Sequence, residues 1–175
     1  MGDFIDDDEV NVSEFEEHEA EITRGLLTTA IKHLNPRAAV SVEEGTSVSE
    51  AVAIMNREKI GGLLVVREGR LAGIFTERDV LTKIAGRGLD FTKIFVGHYM
   101  TPDPEALSPE HKVAYALNKM VVGGYRHVPI VDGERRPVAV ISVRDVVEFI
   151  VERFPAEVIN LPPDPDHEMR AREGG

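Results

Sequence analysis

The sequence predicts an α/β (α+β) fold: two β-α-β-β-α repeats packed as a pseudo-twofold pair, with an N-terminal helix ahead of them and a Pro-rich tail behind. Three observations carry this. The chain aligns with itself at an offset of 65, which sets Val48 on Val113, Ala51 on Ala116, Met55 on Met120 and Val66 on Val131. One extra residue in the turn after Val131 raises the offset to 66, so that Gly73 meets Ala139, Thr76 meets Ser142 and Asp79 meets Asp145. Within each unit a helical apolar period gives way to two short β-rich runs. Each unit holds about 50 residues, too few to bury a full core alone, so the two are expected to pack together.

Taken in order, residues 1–36 form an acidic leader and a helix. The first 21 residues hold ten Asp or Glu and no Lys or Arg, which reads as a solvated leader. Residues 13–34 read as one amphipathic helix, with Ser13 and Glu16 as its capping box and Ile22, Leu26, Leu27, Ala30, Ile31 and Leu34 as its apolar stripe. Asn35-Pro36 ends it. The first repeat occupies 37–90. It opens with a strand at Val40–Val42. A helix follows, capped by Ser47-Val-Ser-Glu50, with Val48, Ala51, Val52 and Met55 inward. "LLVV" and "LAGIF" then make a hairpin around "REG", and Glu77–Ala85 closes the unit.

A linker and the second repeat occupy 91–154. Its strand is Ala106–Leu107. Ser108-Pro109 reads as the N-cap and first residue of its helix. The hairpin "HVPIV"–"DGERR"–"VAVIS" follows, and Val143–Phe154 closes the chain's folded part. The closing segment "VRDVVEFIVERF" is apolar on more than one face, which predicts a homodimer through Val146, Val147, Phe149, Ile150 and Val151. Residues 155–175 read as an extended tail in which Val158, Ile159 and Leu161 could dock.

Composition excludes several classes of function. The chain lacks cysteine, so disulfides and thiolate metal sites are out. No apolar run approaches the roughly 18 residues of a membrane span, and the N-terminus has no signal-peptide pattern. The net charge of −11 resides in the leader, and no basic face is offered to nucleic acid. A cytoplasmic protein with neither a membrane nor a nucleic-acid partner is expected. Phosphate-loop, dinucleotide, nucleophile-elbow and zincin motifs are all missing, so no enzyme and no catalytic residue is assigned. The histidines have no metal-like spacing, and "DHE" at 166–168 is a solvated triplet.

The pattern strand–[Thr/Ser]-x-x-Asp occurs twice, as Thr76-Glu-Arg-Asp79 and Ser142-Val-Arg-Asp145. It has two readings. The spacing is that of a helix capping box. It also sets a carboxylate and a hydroxyl at a helix start, where polar ligands bind. The aspartate could accept both hydroxyls of a ribose diol and the hydroxyl could meet a phosphate.

The two units, the segment "YMTPDPEALSPEHKVAYALNKMVVGGYRHVPIVDGERRPVAVISVRD" and the paired [Thr/Ser]-x-x-Asp ends resemble a tandem pair of CBS domains, a Bateman module, over residues 37–154. The resemblance implies a regulatory, energy-sensing module that binds AMP, ADP, ATP or a related adenosyl ligand in clefts between the repeats, with or without Mg2+ and with no resident cofactor. It implies that Asp79 and Asp145 hold ribose, with Thr76 and Ser142 beside them. It further implies that Arg126 and His127, with Arg78 and Arg144, meet phosphate. Arg126 and His127 align with Gly61 and Gly62, where a purine could approach the backbone. The Arg126-His127 pair opens the central strand of the second repeat, where neighbours point to opposite faces, so the two are not expected to face one spot. Val40, Ile60, Thr101 and Tyr125 would wall the adenine pockets. A disc-like homodimer and an unidentified protein partner complete the implied picture. The alternative is an interaction or oligomerisation module with vestigial nucleotide sites.

Overall fold

The computed structural model describes residue 20 and residues 23–152. In the first repeat, β1 (Ser41–Glu43) runs parallel to β2 (Gly62–Arg67), and α1 (Val48–Glu58) makes the crossover between them. Strand β3 (Arg70–Thr76) returns antiparallel to β2. Glu68 and Gly69 both take positive φ in the turn, the geometry of a tight hairpin of the primed type. Helix α2 begins at Glu77–Asp79 and widens into a π turn over Val80–Ile84. β4 (Thr101–Pro102) adds to the free edge of β3.

The second repeat follows the same order. The expected strand Ala106–Leu107 reduces to a single parallel bridge, Leu107 to Ile130. Helix α3 (Val113–Gly123), strands β5 (His127–Val131) and β6 (Pro137–Ser142), and helix α4 (Val143–Val151) complete it.

The segment ahead of each repeat packs on the other repeat. Ala30 and Phe95 are 65 residues apart, and each forms an antiparallel bridge at the start of a repeat helix, to Lys112 and Ser47 respectively. The next residues, Ile31 and Val96, are both fully buried and both open a 3-10 turn. Ile31 enters the second-repeat core of Leu107, Val113, Met120 and Val128. Val96 enters the first-repeat core of Val42, Val48, Met55 and Phe75. A third cluster joins the units: Leu64, Leu71 and Ile74 meet Ala106, Val131 and Val140.

Four sequence expectations are corrected, the first two by this exchange. The N-terminal helix does not run to Leu34. It ends at residue 28, because the Ile31 and Lys32 amides donate to His111 and Pro109 carbonyls instead of to the preceding turn. Leu27 is exposed, while Leu26 and Leu34 lie against the second core. Ser108-Pro109 does not cap α3. Residues 108–111 form a turn closed by the Ser108 amide on His111 Nδ1, and the Val113 amide is satisfied by the Thr29 carbonyl. The first closing helix is π-wound in its second half, with the Ala85 amide on the Val80 carbonyl. Finally, Val146 and Phe149 belong to the protein's own core, and Ile150 packs against it, so of the five residues expected at a dimer contact Val147 is the one well exposed. Ser13, Glu16, Ile22, Phe154 and the tail lie outside the described residues.

Candidate functional site

Both [Thr/Ser]-x-x-Asp sequences fold as capping boxes. Asp79 Oδ2 accepts from the Thr76 amide at 2.8 Å and from its hydroxyl at 2.7 Å. Asp145 Oδ2 accepts from the Ser142 amide at 2.5 Å and its hydroxyl at 2.6 Å. The second carboxylate oxygens differ. Asp79 Oδ1 is 2.7 Å from Lys83 Nζ, and the residue is buried. Asp145 Oδ1 has no protein donor among the described residues, and Asp145 borders a cleft.

Two clefts form, each between the strand–helix junction of one repeat and the loop before the central strand of the other. The Asp145 cleft is about 470 Å3 and brings Ser142, Arg144 and Asp145 together with Val40, Ile60, Gly61 and Gly62. The Asp79 cleft is about 350 Å3 and brings Thr76, Arg78 and Asp79 together with Thr101 and Tyr125. Both volumes fall in the range of small-molecule sites. Arg126 and His127 border both clefts.

Arg126 lies in a bend ahead of β5, so strand alternation does not separate it from His127, and the pair share both cavities. The bend is tied down by the Arg126 carbonyl, which accepts from the Val143 amide; the Gly61 carbonyl accepts from Glu77 in the same way. Burial holds the His127 imidazole below its ordinary pKa, against the opposing pull of Glu77 and Asp145. A Cβ on Gly61 would stand 3.4 Å from His127 Cε1, and one on Gly62 would stand 3.1 Å from the Thr76 methyl. The space these glycines leave is thus partly used by the protein's own side chains. Gly123 has a plainer role: a Cβ there would meet the Tyr125 ring at 2.3 Å. Arg144 is exposed and pairs with Glu148, and Arg78 reaches the Gly124 carbonyl at 3.5 Å.

Sequence reasoning passed over Arg37 and Lys59 in the Asp145 cleft, and Glu77, Asp103 and Glu105 in the Asp79 cleft. The internal alignment held the signal, since Arg37 falls on Pro102 and Lys59 on Gly124 at the 65-residue offset. Among the described residues no three His, Asp or Glu side chains converge as a metal site.

A family model, "CBS domain", matches twice, at residues 31–86 and 96–152. The chain belongs to the CBS-domain family. Its two matches begin at the two exchanged 3-10 segments, 65 residues apart. The CBS domain-containing protein CBSX3, mitochondrial, of Arabidopsis thaliana is 34% identical over 120 residues, 66% of this chain and 58% of that one. The chain spans only 21–22% of several longer plant relatives. A CBS-domain containing protein from Agrobacterium tumefaciens, ATU1752, shares the fold with a TM-score of 0.63 and 31% identity, over 69% of this chain and 98% of that one. The CBS domain pair of protein MJ0100, solved in complex with 5-methylthioadenosine and S-adenosyl-L-methionine, matches with a TM-score of 0.64 and 25% identity, over 71% and 98% of the two chains. Among the described residues no helix is long and apolar enough to cross a membrane.

Proposed function

We propose that this chain is a regulatory module that binds an adenine nucleotide or a related adenosyl ligand in the clefts between its two repeats, and that it works by signalling and not by catalysis. The observation that carries the reading is the Asp145 junction. Its cap uses Oδ2 and leaves Oδ1 without a donor among the described residues, at the border of a cleft that also holds Arg126 and Lys59. A ribose diol donates to such an oxygen, and a phosphate suits such cations. The adenosyl ligands of the MJ0100 pair support the same ligand class. Because each cleft is built from both repeats, a bound ligand favours one mutual arrangement of them, and a partner reads that arrangement. The exposed apolar residues of the second repeat, Val121, Val122 and Val147, suit a second copy, so the working unit is a homodimer.

One observation favours a second reading, an interaction or oligomerisation module with vestigial sites. Both capping boxes are complete without any ligand. A thermal-shift screen of adenosine, AMP, ADP, ATP and S-adenosylmethionine on the purified chain separates the two. A ligand at 100 times its Kd adds about 2.7 kcal/mol of stability. An unmoved melting temperature at millimolar concentrations of every compound rejects the nucleotide reading.

A further inference from the structure

The pseudo-twofold axis makes the two clefts comparable position by position. Where the Asp145 cleft has Arg37, Lys59 and Val143, the Asp79 cleft has Pro102, Gly124 and Glu77. Two cations are lost and a carboxylate is gained, while Arg126 and His127, which align with Gly61 and Gly62, border both clefts. Ala38 and Val40 are likewise replaced by Asp103 and Glu105. Three acids of the Asp79 cleft have cation partners: Asp79 with Lys83, Asp103 with Arg135, and Glu105 with Lys119. Glu77 has no ion pair among the described residues. It stands beside Gly61, its Oε2 3.5 Å from where a Cβ would be, on the wall shared with His127. After these pairings the Asp145 cleft keeps Arg37, Lys59 and Arg126 against Asp145, whereas the Asp79 cleft keeps Arg78 and the shared Arg126 against Glu77.

Lys59 strengthens the contrast. It is the C-cap of α1 and takes φ 53°, a left-handed conformation that favours glycine. The equivalent C-cap of α3 is Gly124, at φ 67°. The first repeat therefore holds a lysine in a conformation that a side chain adopts at a cost, and that lysine borders the Asp145 cleft.

We infer that the clefts divide ligands by charge: the Asp145 cleft takes the adenosine compound that carries a 5′-phosphate, and the Asp79 cleft takes one whose 5′ substituent is uncharged, with Glu77 as the residue that turns phosphate away. The inference rests on the adenosyl-binding function and adds selectivity to it.

Calorimetric titration of the full chain with AMP and with adenosine tests it. AMP is expected to fill one site per chain, and adenosine to keep a site in Asp145→Asn, where AMP binding is weakened roughly 10- to 100-fold. Glu77→Val, the residue of the other cleft, is expected to create a second AMP site, with affinity there raised about tenfold or more as the carboxylate's repulsion is removed. Glu77→Gln should act in the same direction, and both sit on an exposed position that leaves the fold intact. Lys59→Gly should lower AMP affinity while its melting temperature holds or rises. Two equal AMP sites in the parent chain, or an AMP stoichiometry unmoved by both Glu77 variants, overturns the inference and leaves adenosyl binding standing. No binding of either compound overturns both.

Discussion

At the residue scale, a capping box and a ligand site are compatible because a carboxylate has two oxygens. Asp145 caps with one and keeps the other, whereas Lys83 takes the second oxygen of Asp79. Asp145→Asn should therefore cost about 0.5–2 kcal/mol in stability as a weakened cap. It should also cost about 1.5–3 kcal/mol per lost charged hydrogen bond in binding at that cleft, roughly 10- to 100-fold. At that cleft the loss should fall equally on adenosine and AMP, since both carry the diol, while adenosine keeps its site in the Asp79 cleft. Arg126→Ala should weaken AMP and spare adenosine. Calorimetry on both variants decides, and equal losses for Arg126→Ala would remove its phosphate role. His127 gives a pH signature. Its folded pKa lies below the usual 6.5, so the fold disfavours the imidazolium. The stability that follows is fully present above the unfolded pKa and is lost as pH falls below about 6.5. His127→Gln should lose less melting temperature between pH 7 and pH 5.5 than the parent chain. Parallel losses would mean that other groups dominate the acid limb.

At the scale of elements, the sequence made the repeat visible because each strand and helix obeys a local period. The β1–α1–β2 crossover, both hairpins and both strand–helix junctions follow that pattern, and Ser47 caps α1 by accepting from the Glu50 amide. The exchange of segments was hidden for a physical reason. Whether the Ile31 amide donates backward along a helix or across to His111 depends on a residue 80 positions away, which no local period records. The same holds for the clefts. Asp79 and Asp145 announce themselves by spacing, but Lys59 and Glu77 acquire meaning only when the opposite repeat is laid beside them. The exchange makes a prediction of its own. Ile31 is fully buried in the second-repeat core and Thr29 closes the start of α3, so Ile31→Ala should cost about 2–5 kcal/mol, the usual range for a buried isoleucine. Deleting residues 1–12 should leave affinity unchanged or slightly higher, because the leader's acids repel a phosphate only weakly when the Debye length is about 8 Å. Deleting 1–35 should destabilise the second repeat. Urea unfolding of Ile31→Ala and the longer deletion, with calorimetry of the shorter one, checks the series, and an Ile31→Ala chain as stable as the parent would mean that the segment is not held there in solution.

At the scale of the molecule, the two repeats are alike inside and unlike outside. On the second repeat Tyr115, Val121 and Val122 of α3 and Val143 and Val147 of α4 are all exposed, with Val121 and Val122 at 74% and 78%. Their counterparts on the first repeat are Glu50, Asn56, Arg57, Glu77 and Leu81. Only Leu81 keeps the apolar character. A twofold dimer buries the same patch on both copies. The apolar face belongs to the second repeat, so the dimer expected here sets second repeat against second repeat. A head-to-tail arrangement would instead press Val121 and Val122 against Asn56 and Arg57 and leave a guanidinium to be desolvated. Burying a valine side chain contributes about 1.5–3 kcal/mol, so two or three of these on each copy suffice to shift a micromolar equilibrium. Light scattering should give about twice the chain mass of 19.3 kDa. Val122→Glu with Val147→Glu should return the monomer, since each places a charge in the shared face. Leu81→Glu should leave the dimer intact in the arrangement argued here and break it in the head-to-tail one, where Leu81 would meet Val147. A parent chain that scatters as a 19.3 kDa species at tens of micromolar would reject the dimer altogether.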